Sequence, residues 1–197
     1  MIKNKFIIIG AVIILIIVFA VLYLDSKNSI FILQNSDNHI LGNPEAKNIL
    51  VEFSDFECPA CGEAYKELKK IEEKYKDNLE IIYKHYPLPA HSNAYLAAEA
   101  SECASDQGQF WPYHDLLFEN QQNLTRNDLL NYARSLNLDL ARFTQCLDSQ
   151  AARSIISQQI KEGNDLKLKG TPTFFLDGME IEDWQNLDKI LEEKLTP

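Results

Sequence analysis

The sequence predicts an α/β fold: a central mixed sheet flanked by helices, with an inserted helical domain and one N-terminal transmembrane helix. Three observations predict it. A strand, a Cys-x-x-Cys helix start and a second strand follow one another from Asn48 to Tyr83. The stretch from Ser92 to about Ser149 reads as helix only. The chain then returns to an extended hairpin and a last helix.

The N-terminus comes first. Phe6 to Leu24 carries no charged residue. At about 1.5 Å per residue such a helix spans roughly 28 Å, close to the hydrocarbon thickness of a bilayer. Lys3 and Lys5 precede it, so the positive-inside tendency puts residues 1–5 in the cytoplasm and everything after Asp25 outside. Val18-Phe19-Ala20 fits a signal-peptidase site, which would release the domain as a secreted form. The apolar residues continue to Leu24, and an uncleaved signal-anchor over 6–24 is the favoured reading. No Cys precedes position 58, which excludes a lipid-anchored lipoprotein.

Residues 25–39 read as a polar linker, with one short apolar run, Ile30-Phe31-Ile32-Leu33, that offers an edge strand. Leu41-Gly42-Asn43-Pro44 is turn chemistry. Residues 40–197 form the folded domain. Asn48 to Phe56 is apolar on both faces, as in a central strand covered by helices. From Gly62 to Lys76, Tyr65, Leu68, Ile71 and Tyr75 recur at helical spacing. Leu79 to Tyr83 is a second strand, ended by Pro87 and Pro89, and the pair should be parallel.

The helical insertion, about 92–149, divides into short pieces. Ser92 to Ser105 is Ala-rich. Phe110 to Glu119 places Phe110, Trp111, His114, Leu117 and Phe118 at helical spacing. Thr125-Arg126-Asn127-Asp128 resembles a capping box that opens the next helix. It also explains Thr125 better than the glycosylation sequon Asn123-Leu124-Thr125 does. Leu138 to Leu147 and Ala151 to Leu168 are further helices. Thr173 to Leu176 and Met179 to Ile181 form a hairpin around Asp177-Gly178, and a last helix carries Trp184, Leu187, Ile190 and Leu191.

Composition limits the function. The chain has 197 residues and a net charge of −10, with 29 acids against 19 bases. No basic patch interleaved with aromatics exists, which argues against nucleic-acid binding. Four cysteines occur, Cys58, Cys61, Cys103 and Cys146. Outside the membrane an even count favours disulfides over zinc. Cys58 and Cys61 also lack a second Cys or His pair at ligand spacing, so no metal and no cofactor is expected.

Cys58-Pro59-Ala60-Cys61 carries the chemistry. At a helix start the two sulfurs come within bonding distance, and the first faces backbone N–H groups and the helix dipole. Pro59 suits the first turn because its missing N–H was unpaired there anyway. Cys58 is expected to be the exposed nucleophile and Cys61 the buried resolving thiol. The bland alternatives are a permanent disulfide or a zinc pair. Glu52, in a strand expected to be buried, should have a raised pKa and relay a proton to Cys61; its alternative is a solvated edge residue. Cys103 and Cys146 fall on the apolar faces of separate helices. They are expected to pair, with two buried free thiols as the alternative. His85, His91 and His114 are read as structural.

With these motifs placed, the order of the chain resembles a thioredoxin fold with a helical insertion, the DsbA-like branch of thiol–disulfide oxidoreductases. The residues that carry the likeness are Val51-Glu52-Phe53-Ser54-Asp55-Phe56-Glu57 before the motif, and Tyr86-Pro87-Leu88-Pro89-Ala90-His91. Glu102-Cys103-Ala104, Gln107 to Trp111, and Gly170-Thr171-Pro172-Thr173-Phe174-Phe175 complete it. The resemblance implies that Pro172 follows a cis bond beside Cys58; the alternative is an ordinary trans proline before an edge strand. Thr171 could then offer its backbone to an extended substrate strand. It also implies reoxidation by a quinone-linked membrane partner.

The direction of disulfide transfer is open at this level. Strongly oxidising members carry Pro-His between the cysteines; here Ala60 replaces the His, and Glu57 adds a negative charge beside Cys58. Both should raise the Cys58 pKa and make a milder oxidant. The expected function is a membrane-anchored enzyme, outside the cytoplasm, that forms disulfides in secreted or membrane proteins with thiols. A reductase or isomerase using the same site is the alternative, and a redox-silent peptide-binding or chaperone module is a third.

Overall fold

A computed structural model describes residues 14–19 and 39–195. Its sheet has five strands in the order β1-β3-β2-β4-β5. These are β1 (His39–Gly42), β2 (Asn48–Ser54), β3 (Leu79–His85), β4 (Thr173–Leu176) and β5 (Met179–Ile181). β2 and β3 are parallel, joined by helix α1 (Pro59–Tyr75), and every other pairing is antiparallel. Helices α2 (Ala94–Ser105), α3 (Phe110–Glu119), α4 (Arg126–Ser135) and α5 (Leu140–Ser149) follow β3. Then come α6 (Arg153–Asp165), the β4–β5 hairpin, a short 3-10 turn and α7 (Leu187–Leu195).

Both sheet faces are covered, which is why β2 carries apolar residues on both of its faces. On one face Leu68, Ile71 and Tyr75 of α1 pack with Leu50, Leu79, Phe174 and Leu176, joined by Leu187 and Leu191 of α7. On the other, Val51, Phe53, Ile82 and Phe175 pack with Leu166 and Leu168, at and just beyond the end of α6. A third cluster joins Cys58, Cys61 and Tyr83 to the insertion through Phe110, Tyr113, Leu117, Phe118, Leu129 and Phe143. Full burial of one such aliphatic or aromatic side chain contributes about 1.5–3 kcal/mol.

Several local expectations are met by specific bonds. Thr125 and Asp128 form a reciprocal capping box at the start of α4. The Asp177-Gly178 turn has positive φ at both residues, 51° and 80°, as a type I′ hairpin requires.

The N-terminal side departs from expectation. Strand β1 begins at His39, so the predicted linker over 25–39 ends one residue early. Its last two residues, Leu41 and Gly42, fall in the segment read as a turn, and it pairs with β3. Its sequence, His-Ile-Leu-Gly, sets two apolar residues side by side and shows no period-2 pattern. Tertiary bonds hold the strand instead: Trp111 Nε1 donates to the Ile40 carbonyl at 2.9 Å, and His39 meets Glu102 at 2.7 Å. Gly42 ends the strand at φ 82°, where a Cβ would stand 2.4 Å from the Leu79 carbonyl oxygen; only glycine fits. The proposed edge strand over 30–33 lies outside the described residues. So does most of the 6–24 segment, of which residues 14–19 are helical. Among the described residues no helix is long and apolar enough to cross a membrane.

Candidate active site

Strand β2 ends at Ser54, two residues earlier than the sequence pattern suggests, because Asp55 starts a tight turn. Its buried carboxylate accepts from the backbone N–H of Glu57 and of Leu88, both at 2.7 Å, and meets His91 Nδ1 at 2.7 Å. Its carbonyl accepts from the Cys58 N–H at 3.1 Å. One residue thus ties the motif to the loop after β3.

Cys58 is the N-cap of α1 and Pro59 its first residue. The two thiols are unbonded to each other. They differ sharply in character. A hydrogen bond from the Cys61 thiol outweighs burial and lowers the Cys58 pKa to about 5. Thr171 and the backbone N–H groups of Cys61 and Ala60 add smaller pulls. Cys61 is fully buried, and burial, the Cys58 sulfur and Glu52 push its pKa far above the ordinary thiol range. Both sulfurs belong to one buried cluster, and Cys58, expected to be exposed, is only 7% exposed because the Thr171–Pro172 turn lies against it.

The distant turn closes over this pair. Thr171–Pro172 is cis, and the Thr171 carbonyl lies 3.4 Å from Cys58 Sγ. Glu52 is 2% exposed on β2, between Tyr83 and Phe174. Burial raises its pKa to about 7, and its Oε1 has no hydrogen-bond partner among the described residues.

Ala60 is half-buried at the rim and brings no side-chain donor. The Glu57 carboxylate turns to the N-terminus of α2, where it accepts from Asn93 N at 2.6 Å and Asn93 Nδ2 at 3.0 Å. Cys103 and Cys146 are bonded to each other across α2 and α5, with Cα atoms 5.7 Å apart. His85 and His114 are buried in the aromatic cluster, and burial lowers both pKa values. Burial pulls His91 down too, but Asp55, with help from Cys58 and Glu57, raises it on balance.

His39, His85 and Glu102 bring three possible metal ligands together. Both ring nitrogens meet the same oxygen, Glu102 Oε1, at 2.7 and 2.8 Å. Those are hydrogen-bond separations; ligands of one tetrahedral zinc stand about 3.3 Å apart. The group acts as a buried clamp between β1, β3 and α2.

Three contributors escaped the sequence reading. In the sequence Asp55 reads as part of the strand over Asn48 to Phe56, not as the start of a turn. Gln121 and Gly62, in contact at the motif, carry no pattern that marks them.

A sequence-family model described as Thioredoxin matches residues 34–193. A Na(+)/H(+) antiporter NhaA 3 from Salinispora tropica is 38% identical over 154 residues, 78% of this chain and 24% of that protein. An NhaA antiporter from Herminiimonas arsenicoxydans is 37% identical over 144 residues, 73% of this chain and 23% of that protein. The chain therefore spans about a quarter of the length of these curated relatives. Among solved structures, a thioredoxin-like oxidoreductase from Silicibacter pomeroyi superposes with TM-score 0.73 at 24% identity, covering 85% of this chain and 98% of that one. BdbD from Bacillus subtilis does so at 0.73 and 23%, covering 81% and 94%. The thiol-disulfide exchange protein alpha-DsbA2 from Wolbachia pipientis gives 0.73 and 18%, covering 86% and 95%. These structures share the fold.

Proposed function

This chain belongs to the thioredoxin family, and from that premise we propose that it is a DsbA-like protein thiol–disulfide oxidoreductase that forms disulfides in secreted or membrane proteins. The observation that carries the reading is the asymmetry of one thiol pair. Cys58, at a helix N-cap against Thr171–Pro172, is held as a thiolate near pH 7, while Cys61 three residues on is held as a thiol.

The exchange follows from that asymmetry. A substrate thiolate attacks Cys58 of the Cys58–Cys61 disulfide. The bond between the two protein sulfurs breaks, and Cys61 leaves with the electron pair. Buried Glu52, with a pKa near 7, supplies the proton that Cys61 takes up. A second substrate thiolate then attacks the substrate sulfur of the mixed disulfide, and Cys58 leaves as its stable thiolate. The substrate loses two electrons and the protein gains them. Thr171 presents backbone to an extended substrate segment beside Cys58.

Stabilising the Cys58 thiolate stabilises the reduced protein, which favours oxidation of substrates. Ala60 withholds a donor, as expected, but Glu57 spends its carboxylate on the N-terminus of α2. The 6–24 segment would anchor the domain on the outer side of the plasma membrane, and a quinone-linked membrane oxidase would reoxidise it. The transport named for the NhaA relatives belongs to much longer proteins and is no part of this reading.

The test is the redox potential of the purified full chain in detergent, together with oxidation of a reduced, unfolded substrate protein. Values of about −120 to −200 mV with substrate oxidation support the reading; values below about −250 mV make the protein a reductase. Activity unaffected by Cys58→Ser would leave only a peptide-binding or chaperone role.

A further inference from the structure

The turn that bears the motif is fastened from outside the sheet core. Gln121 lies two residues beyond α3, in the helical insertion. Its Nε2 donates to the carbonyl oxygens of Phe56 at 3.0 Å and Cys58 at 2.8 Å. The Cys58 carbonyl also accepts from the Gly62 N–H at 3.2 Å. Two donors therefore fix its direction. Fixing that carbonyl fixes the peptide plane between Cys58 and Pro59. The helical turn that follows then aims the N–H groups of Ala60 and Cys61 at the Cys58 sulfur.

The other end of the same amide explains a glycine. A Cβ on Gly62 would stand 2.1 Å from Gln121 Oε1 and 2.8 Å from its Cδ. Gly62 is buried in α1, and its missing side chain is the seat in which the amide rests.

We propose that Gln121 is a positioning residue for the Cys58 thiolate, through which the helical insertion acts on the active-site turn, and that Gly62 keeps its seat open. This rests on Cys58 being the nucleophile. The other ionisable groups near the two sulfurs are Glu52, Asp55, Glu57, Tyr83 and His91. They lie on the 52–57 segment, on β3 and on the loop after it, and a change at position 121 leaves them in place. A shift in Cys58 titration on substituting Gln121 therefore reports the aim of the backbone donors.

The experiment follows thiolate absorbance at 240 nm against pH for the reduced full chain, with thermal unfolding alongside. Gln121→Met keeps the length of the side chain and removes both donors. Gly62→Ala keeps Gln121 and displaces its amide. Each should raise the Cys58 pKa by about one, a roughly tenfold loss of thiolate at pH values below it. The double variant should do no more than the larger single one, because both break the same contact. If either single variant does not fold, the other carries the test. A Cys58 pKa within about 0.2 of wild type in the folded variants, whatever their melting temperatures, overturns the proposal. A wild-type thiol titrating near its ordinary value of about 8.5 overturns the reading of Cys58 itself, and this inference with it.

Discussion

Cys61 is the residue whose removal isolates a single step. Without its sulfur, a disulfide between Cys58 and a client has no internal thiol to resolve it. Cys61→Ser is expected to accumulate covalent complexes with clients, visible as adducts on non-reducing gels and absent after reduction. A clean gel would count against the exchange mechanism. Cys61→Ala also removes the hydrogen bond that contributes most to the low Cys58 pKa, whereas the serine hydroxyl keeps a donor there, so the alanine variant should form fewer adducts at pH 6 than at pH 8. Glu52 makes a second residue-scale prediction. Its folded pKa is raised from an ordinary 4.5 to about 7. Its contribution is intact below 4.5 and is lost as pH rises through 7, a change on the order of 3 kcal/mol. Glu52→Gln should therefore melt progressively higher than wild type as pH climbs from 4.5 to 7, yet exchange disulfides more slowly. A melting difference that does not change with pH would mean that the carboxyl is not buried as an acid. Cys58, Cys61 and Glu52 were legible because their meaning lies in local spacing. Gln121 and Asp55 were not, because a side-chain amide or carboxylate reveals its partners only once the chain has folded.

Elements differ in the same way. The helices could be read from apolar spacing and the Thr125–Asp128 cap, both of which act within a few residues. β1 could not, since its partners Trp111 and Glu102 lie far along the chain. The insertion is a bundle of short helices, α2 to α5, and isolated helices of 10 to 12 residues are marginal in water. They are held by the cluster around Tyr113, Leu117, Leu129 and Phe143, and by the Cys103–Cys146 bond, which closes a loop of 43 residues. In the chain-entropy model a bond of that reach stabilises by up to about 4 kcal/mol. Cys103→Ala combined with Cys146→Ala should lower the melting temperature by several degrees, roughly 2–4 °C per kcal/mol in a domain of this size. Turnover per folded molecule should be retained. If turnover falls while the melting temperature holds, the pair belongs to the chemistry rather than to the scaffold.

At the scale of the whole molecule, the direction of transfer depends on how many protons accompany two electrons. With Cys58 near 5 and Cys61 far above the ordinary range, the reduced protein between about pH 6 and 8 holds one thiolate and one thiol. Reduction then takes up one proton per two electrons. The potential should fall by about 30 mV per pH unit, instead of the roughly 59 mV expected for two ordinary thiols. The same charge stabilises the reduced fold. Its contribution is full above the unfolded thiol pKa and disappears as pH falls through 5. The melting temperature of the reduced form should thus rise relative to that of the disulfide form as pH goes from 5 to 8. Both quantities can be measured on one preparation, by equilibrating the full chain in glutathione buffers over that pH range and melting each form. A slope near 59 mV with no change in the melting difference would mean that Cys58 is an ordinary thiol. The helix end, the Gln121 amide and the Thr171–Pro172 turn would then be holding a sulfur with no bias toward oxidising anything.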